Sequence, residues 1–269
     1  MERGGGILTL AGKKVAVIGV GSVGSEIAHK LSAAGIRHLT LVDPDLYEIN
    51  NLYRHILEQH WVGAPKTVAL SVALQRQFPW SCAQWKLDKL MEFARSSRMN
   101  DFDLIVIAIG NPTQERLFKQ YLLDTNSKVA VINSWLEGYG VGGHATLDIS
   151  NAKGCLLCSY VCQETGCRGL VSNMNFIEPD QVTMKSVAGC GEQFISYGAA
   201  SSAQTAVMAA NLAIRYLEGK QNESCKVSWK GLDEDAMAEG IRLTHRYYNF
   251  SSSLEYLPLV DEDCDVCTH

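Results

Sequence analysis

The first half of the chain alternates between short apolar runs and segments in which apolar residues recur every three or four positions. The apolar runs are rich in β-branched residues and predict strands over residues 15–18, 38–42, 102–109 and 128–132, and a further short strand is predicted near 83–87. The periodic segments predict helices that begin near residue 23 and cover about 62–76, 89–95 and 114–123. Strands that alternate with helices predict an α/β fold with a doubly wound, mainly parallel sheet.

The pattern changes in the second half of the chain. Residues 139–149 alternate between apolar and polar, which is typical of an antiparallel strand with one exposed face. A cysteine-rich loop follows, and the small-residue segment 198–217 reads as a buried or interface helix. Two late strands are predicted at 226–232 and 241–247. Without an internal repeat or low-complexity linker, we predict one domain over residues 1–269, with an antiparallel extension of its sheet.

The composition excludes several classes of protein. Hydrophobic residues make up 46% and charged residues 20% of the chain, as in ordinary globular proteins. The net charge of -5 and a pI near 5.8 argue against a surface built for nucleic acid or anionic membranes. No run reaches the ~18 apolar residues of a membrane span. Because residues 1–6 carry no apolar signal core, we expect a cytoplasmic protein.

A strand, a glycine turn and a helix follow one another around Gly19, Gly21 and Gly24. Gly19 permits a tight turn, Gly21 lets a phosphate approach the backbone, and Gly24 lets the helix pack closely on the strand. The helix N-terminus offers free N–H groups to an anion. This context is Rossmann-like and predicts a nucleotide site, although the glycines alone fit NAD, FAD, SAM and ATP equally.

Three charged residues downstream bear on the choice of ligand. Asp43 lies nineteen residues after Gly24, where an acid commonly accepts hydrogen bonds from ribose, although a turn-capping role is the alternative. Ribose binding fits NAD and ATP alike. Arg54 and Lys66 favour adenylation, because charge at the α-phosphate and the departing pyrophosphate is stabilised by fixed cations. Either cation alone would more often be a solvated surface charge.

The segments Leu-Val-Asp-Pro-Asp at 41–45, Asn-Asn-Leu-Tyr-Arg-His at 50–55 and Val-Gly-Ala-Pro-Lys at 62–66 form one ordered pattern. Behind the glycine turn, this pattern closely resembles the ThiF/MoeB/HesA and ubiquitin-activating-enzyme superfamily. The order and spacing agree across residues 14–66. The resemblance implies an adenylating enzyme that uses ATP with Mg²⁺.

The resemblance also assigns roles to individual residues. It places ATP against Gly19, Gly21, Gly24, Asp43, Asp45, Asn50, Asn51, Arg54, Lys66, Gly110 and Asn111, with Arg3 as a further candidate. Asp43 would bind the ribose, and Asn50 would line the same pocket. Asn51, Arg54 and Lys66 would bind the phosphates. Arg54 and Lys66 would therefore also act in catalysis.

Nine cysteines in a chain without an export signal suggest metal ligands or a reactive thiol before disulfides. Two Cys-x-x-Cys pairs lie 105 residues apart, Cys155 with Cys158 and Cys264 with Cys267. Four thiolates in two such pairs suit a closed, tetrahedral structural zinc site, and the superfamily carries the same arrangement. The alternative is a local, iron–sulfur type cluster that joins the first pair to Cys162 and Cys167, but it leaves the terminal pair unexplained.

Cys190 is the candidate nucleophile. Glycines flank it, a helix follows, and the superfamily places its thioester-forming cysteine here, often with a glutamate two residues later, as Glu192 is. A buried structural thiol is the alternative for a lone cysteine. Cys162 and Cys167 compete for the role because they lie on a predicted loop.

The implied reaction has two steps. ATP and the C-terminal carboxylate of a ubiquitin-like or other protein give an acyl-adenylate and pyrophosphate, and Cys190 then attacks to form a thioester and release AMP. The motifs Gly-Asn-Pro at 110–112 and Gly-Gly-His at 142–144 resemble the activating domains of CBASS anti-phage fusion proteins. That narrower resemblance implies a cGAS-like enzyme as the protein substrate, a conjugating-enzyme domain as partner, and a homodimer.

Two positions depart from the superfamily pattern. Its sulfur-carrier activators end the fourth strand with an aspartate linked to magnesium, whereas residues 108–112 read Ala-Ile-Gly-Asn-Pro. Asn111 or a water would replace that carboxylate only weakly. The superfamily also sends an arginine from an earlier helix to the partner subunit's ATP, and Arg3 is the single candidate. Otherwise the chain is the C-terminal module of a longer fusion.

Other functions remain open at this point. Sulfur-carrier activation for thiamine, molybdopterin or tRNA thiolation, or a tRNA-modifying cyclase, would use the same superfamily pattern. An NAD-dependent oxidoreductase is possible on the glycine motif alone, but no convincing catalytic acid or base accompanies it. A non-catalytic, zinc-stabilised scaffold would not explain Arg54 and Lys66.

Overall fold

The computed structural model describes residues 5–150, 152–162, 165–181, 183–186 and 193–267. Its strands are β1 (Lys14–Ile18), β2 (His38–Val42), β3 (Gln84–Lys86), β4 (Leu104–Ile107), β5 (Ala130–Leu136), β6 (Gly142–Asp148), β7 (Met184–Ser186), β8 (Gln193–Ile195), β9 (Cys225–Lys230) and β10 (Leu254–Pro258). Its α-helices are α1 (Ser22–Ala34), α2 (Lys66–Gln77), α3 (Leu90–Ser96), α4 (Pro112–Asp124), α5 (Ala199–Leu217), α6 (Glu234–Ala238) and α7 (His245–Asn249).

Eight strands form one sheet in the order β10-β9-β6-β5-β4-β1-β2-β3. The five neighbouring strands β5, β4, β1, β2 and β3 are parallel. Strands β6, β9 and β10 continue the sheet beyond β5 in antiparallel pairing. Strands β7 and β8 form a separate antiparallel pair. The predicted fold class, a mainly parallel α/β sheet with an antiparallel extension, is confirmed.

Helices cover both faces of the parallel strands. Val15 and Val17 of β1 face the core shared with α1, α2 and α5, whereas Ala16 and Ile18 face the core shared with α3 and α4. Successive side chains of a strand point to opposite faces, so a run that is apolar throughout belongs between two helical layers. The continuous apolar runs of the first half follow from this arrangement.

The exposed face predicted for residues 139–149 is wrong. Every residue of β6 is buried, because α5 packs on the strand and the ring of Phe176 packs on that of His144, with centroids 4.9 Å apart. The polar side chains of this strand therefore need partners inside the protein, and His144 finds them in Glu137 and Ser228.

The predicted strand at 241–247 is also wrong. Residues 245–249 form α7, and the last strand of the sheet is β10, which pairs with β9. Thr244 precedes α7 with extended backbone, and its hydroxyl donates to the carbonyl of Asn175 (3.0 Å). Tyr247 of α7 packs on Phe176. These contacts turn an alternating segment into a short helix.

Helix α5 is buried through its small residues. Ala206, Ala209 and Ala213 belong to the core between the sheet and α1, so close helix–helix approach within the chain accounts for them. The expected homodimer therefore gains no support from this composition and stays a prediction. Across the described part of the chain, no helix combines the length and apolar character needed to cross a membrane.

Candidate functional site

The glycine turn between β1 and α1 is shaped by sterics that exclude side chains. Gly19 has φ +80°, and a Cβ there would lie 2.7 Å from a methyl carbon of Ile109. A Cβ on Gly24 would lie 1.8 Å from the carbonyl oxygen of Gly19, so α1 packs against the turn closely enough to require glycine. A Cβ on Gly21 would meet no atom within 4 Å, which leaves the backbone open on that side.

Both polar backbone groups of Val20 in this turn are held by side chains. Its N–H donates to Oδ2 of Asp43 (2.8 Å), and its carbonyl lies 2.8 Å from Nε2 of His55. The other oxygen of Asp43 accepts from the backbone N–H of Asp45 (2.9 Å). Burial raises the pKa of the Asp43 carboxyl, opposed by these hydrogen bonds and by Lys66.

His55 is a structural part of the turn that was not singled out from the sequence, although it ends the Asn-Asn-Leu-Tyr-Arg-His segment. Burial lowers its pKa to about 4, so the ring is neutral at pH 7. Because Nδ1 accepts from the backbone N–H of Leu57 (3.2 Å), Nε2 carries the proton and donates to Val20.

A pocket of about 680 Å³ opens beyond the glycine turn, at the carboxyl ends of the parallel strands. Ligands of open α/β sheets bind at this edge. The lining includes Gly21, Ser22 and Arg54 at the glycine turn and Gly110 after β4. It also includes residues 134–138 and a wall formed by residues within 170–181 and by Thr183.

Arg54 is the predicted cation that reaches this pocket. It follows the 3₁₀ helix Ile49–Tyr53, and its guanidinium lies 4.3 Å from the ring centroid of Tyr197, another lining residue. The Tyr197 hydroxyl lies 3.0 Å from Oγ of Ser22. The structure thus joins Arg54 and the glycine turn through an aromatic residue that the sequence did not indicate.

Lys66 lies beside the turn but is not among the residues that line the pocket. Its ammonium donates to Oδ2 of Asp45 (3.0 Å), and its side chain is only 12% exposed. Asn50 is exposed, and Asn51 uses Oδ1 to accept the backbone N–H of Glu48 (2.9 Å). The structure therefore brings Gly21, Arg54 and Gly110 together at the pocket, with Asp43, Asp45 and Lys66 in a neighbouring group.

A carboxyl group does line the pocket where the sequence showed no aspartate. Glu115, in the first turn of α4, is 3% exposed and accepts from the backbone N–H of Asn111 (3.2 Å). Burial raises the pKa of Glu115 to about 7. Asn111 itself caps α4, because its Oδ1 accepts from the N–H of Gln114 (3.1 Å). Glu115 is not apparent from the sequence pattern because it lies one helical turn beyond the loop.

Glu137, which directly follows β5, forms hydrogen bonds that link the pocket wall from the stretch around Phe176 to the sheet. Its carboxylate accepts the backbone N–H groups of Phe176 and Ile177 and also contacts Nε2 of His144 (2.7 Å). The other ring nitrogen of His144 lies 2.8 Å from the hydroxyl of Ser228 on β9. A buried carboxylate with several hydrogen bonds fixes the chain that it binds, so this wall has a defined position.

The structure assembles the two cysteine pairs. The thiols of Cys155, Cys158, Cys264 and Cys267 all lie within 4.8 Å of one another, and three of the four residues are buried. Four sulfur donors at such separations fit tetrahedral zinc. Among the described residues, the metal-type cluster combines the two pairs and does not include Cys162 or Cys167, which argues against the local alternative.

Hydrogen bonds at the cluster favour the deprotonated form of Cys158, which is the form that binds a metal cation. The thiol of Cys158 takes hydrogen bonds from Cys155 and from the Cys155 backbone N–H, which lower its pKa to about 5, whereas Cys155 in turn has a raised pKa. Asp148 orients the first pair because its Oδ2 accepts the N–H of Leu156 (2.9 Å). Lys119 pairs with the Asp148 carboxylate at 2.8 Å.

Some predicted site residues fall outside the described residues. Cys190, its neighbour Glu192 and Arg3 are in this group, so their roles stay predictions. Of the competing thiols, Cys167 is exposed, and its carbonyl accepts the backbone N–H of Cys162 (2.8 Å).

Comparison with known proteins decides the family. The model of the ThiF family matches residues 4–247. The chain belongs to the ThiF family. Among its relatives, the ATP-dependent ubiquitin transferase-like protein Cap2 of Escherichia coli (strain TW11681) is 25% identical over 207 residues, which cover 75% of this chain and 34% of that protein. The adenylyltransferase and sulfurtransferase MOCS3 of Arabidopsis thaliana is 26% identical over 174 residues, covering 58% of this chain and 35% of that protein.

This member of the ThiF family thus spans about a third of the length of those two relatives. Among solved structures, Escherichia coli MccB with ATP superposes with a TM-score of 0.67 at 16% identity, over 97% of this chain and 68% of that chain. At this identity the likeness establishes a shared fold. The family expectation from the sequence is confirmed.

Proposed function

We propose that this chain adenylates the C-terminal carboxylate of a protein or peptide with ATP. The main support is that Arg54 and Gly21 line the same pocket, and that no atom lies within 4 Å of the position a Cβ on Gly21 would take. ThiF-family membership, relatives named as adenylyltransferases, and neighbours whose structures hold ATP or the peptide MccA support the proposal. The family match favours adenylation over an NAD-dependent oxidoreductase.

In the proposed reaction, an oxygen of the substrate carboxylate attacks the α-phosphorus, and the bond to the β-phosphate oxygen breaks. The acyl-adenylate forms and pyrophosphate leaves. The N-terminus of α1 and the Gly21 backbone bind phosphate, and Arg54 stabilises the charge that develops on the phosphoryl oxygens. Lys66 adds a second positive charge beside the turn, while Asp43 keeps the turn in shape and is assigned to the ribose on the family pattern alone.

Metal ions have two proposed places. Zinc is held by the four clustered thiols and has a structural role, because four protein ligands leave no open position. Mg²⁺ accompanies ATP and neutralises phosphate charge. The carboxyl of Glu115 fits as its protein ligand, since Mg²⁺ in nucleotide sites is commonly held by one or two carboxylates together with phosphates.

The steps proposed after adenylation are based on the Cap2 relatives, which are named ubiquitin transferase-like proteins. We infer that the thiol of Cys190 attacks the acyl carbon of the adenylate, forming a thioester and releasing AMP, and that the substrate is a ubiquitin-like or cGAS-like protein with a flexible C-terminal tail. A conjugating-enzyme domain and a homodimer belong to the same proposal. Sulfur-carrier activation is the second candidate, favoured by the MOCS3 and UBA4 relatives.

Pyrophosphate exchange into ATP tests the proposal directly. With a candidate protein carrying a free C-terminus, wild-type protein should exchange label, and Arg54→Ala and Lys66→Ala should each lose about 100-fold or more. Cys190→Ala should retain exchange, because the thiol acts after the adenylate forms. Arg98→Ala is the matched control, since Arg98 is exposed before the amino end of β4.

Two results would contradict this scheme. Absence of ATP binding in calorimetry would exclude adenylation. Loss of exchange in Cys190→Ala would contradict the order of the two steps. Mass spectrometry of the loaded protein separates the candidates: a DTT-sensitive adduct at Cys190 supports the thioester, whereas an AMP-carrying sulfur carrier without an adduct supports the second candidate.

A further inference from the structure

Tyr197 joins three parts of the molecule that are distant in sequence. It lies between β8 and α5, its ring faces the Arg54 guanidinium at 4.3 Å, and its hydroxyl contacts Ser22 at 3.0 Å. All three residues line the large pocket. The tyrosine therefore connects the glycine turn, the pocket cation and the chain that leads into α5.

The ring contact matters because of what else surrounds Arg54. Within the described ranges, no ion pair joins Arg54 to a carboxylate, and its guanidinium contacts the ring of Tyr197. An arginine without an ion pair samples many rotamers and loses entropy when it binds an anion. A cation over an aromatic face keeps its charge while its position is restricted.

The backbone beside Tyr197 is held independently of the ring. The carbonyl of Ser196 accepts the N–H of Tyr139 (2.6 Å), and Tyr139 has φ +58°, a conformation that is uncommon for a residue other than glycine. The peptide before Tyr197 is thus fixed by the segment after β5. Because the backbone at Tyr197 is fixed, its ring stays in a position where it restricts the Arg54 guanidinium.

We propose that Tyr197 is a positioning residue for adenylation, holding the Arg54 guanidinium over the pocket through its ring and tying its own segment to the glycine turn through its hydroxyl. This inference rests on the proposed function.

The test separates the ring from the hydroxyl. In pyrophosphate exchange, Tyr197→Leu should raise the KM for ATP about three- to thirty-fold, the range that a lost cation–π contact predicts, with a smaller effect on kcat. Tyr197→Phe keeps the ring and should return KM most of the way to the wild-type value. Tyr256→Leu is the control, because Tyr256 lies partly exposed on the edge strand β10.

A double variant shows whether the effect runs through Arg54. If it does, Arg54→Ala with Tyr197→Leu should behave as Arg54→Ala alone, because the second change removes nothing further. A KM in Tyr197→Leu equal to wild type, a Phe variant as impaired as the Leu variant, or additive losses in the double variant would each overturn the proposal. Failure of wild-type exchange would instead overturn the proposed function on which it rests.

Discussion

The substitution Gly24→Ala should have two opposite effects on stability, a gain from helix propensity and a loss from a steric clash. Gly24 is the third residue of α1, and alanine is favoured over glycine in a helix by at most about 1 kcal/mol, so propensity alone predicts a more stable protein. Yet the added Cβ would lie 1.8 Å from the carbonyl oxygen of Gly19, and real Cβ atoms essentially never come closer than 3.0 Å to such an atom. Helix α1 or the turn must therefore move by more than about 1 Å.

The magnitude follows from the rigidity of both partners. The turn at Gly19 lies in close contact with the chain after β4 and has little room to shift. Helix α1 is packed between the sheet, α2 and α5. Overpacking of this kind costs about 3 kcal/mol at the upper end of its usual range. After subtracting the propensity gain, we expect a net loss of about 2 kcal/mol. For a protein of this size the Tm should fall by about 4–8 °C.

Gly21→Ala is the matched comparison, three residues before Gly24. Its added Cβ meets no atom within 4 Å and its φ is -70°, so the change should cost only the preference for glycine over alanine at the N-cap, about 1 kcal/mol or less. The methyl group lies where we place phosphate, so ATP binding should weaken. Scanning calorimetry and nucleotide titration measure both effects. A Tm that rises in Gly24→Ala would refute the steric reasoning.

Two further predictions concern the metal cluster and the buried imidazole. Cys264→Ser should abolish the bound zinc measured by metal analysis and lower stability, whereas exposed Cys82→Ser should keep the metal. His55 has a pKa of about 4 when folded and about 6.5 when unfolded, so the unfolded state binds the additional proton and stability falls as pH decreases from 6.5 to 4, by up to about 3 kcal/mol. Urea unfolding at pH 7 and 4.5 should show this loss in wild type and in exposed His60→Gln, but a smaller one in His55→Gln, whose amide still reaches Val20. Equal pH dependence in all three proteins would exclude His55 as the source.

The nucleotide end of the site was predictable because its determinants are local. The turn at Gly19 and the start of α1 depend on residues within one strand–helix unit, and the charged segment that contains Arg54 follows within the same part of the sequence. The cysteine pairs were predictable for a different reason, since the Cys-x-x-Cys spacing specifies the donor set even where 105 residues separate the pairs.

The missed residues depend on long-range packing. Tyr197 meets Ser22 across 175 positions of sequence, and no local pattern marks it. Glu115 gains its raised pKa from burial that the helix sequence does not reveal. The segment at 241–247 alternates like a strand but is folded into a helix by contacts with Phe176 and its neighbours. Tertiary contacts decide such positions.

The bracing of Val20 by Asp43 and His55 has a thermodynamic consequence. Both backbone hydrogen-bonding groups of Val20 are already satisfied, so the turn reaches its working shape during folding and not when a ligand arrives. The entropy of ordering this segment is then absent from the binding equilibrium, and more of the intrinsic contact energy appears as affinity.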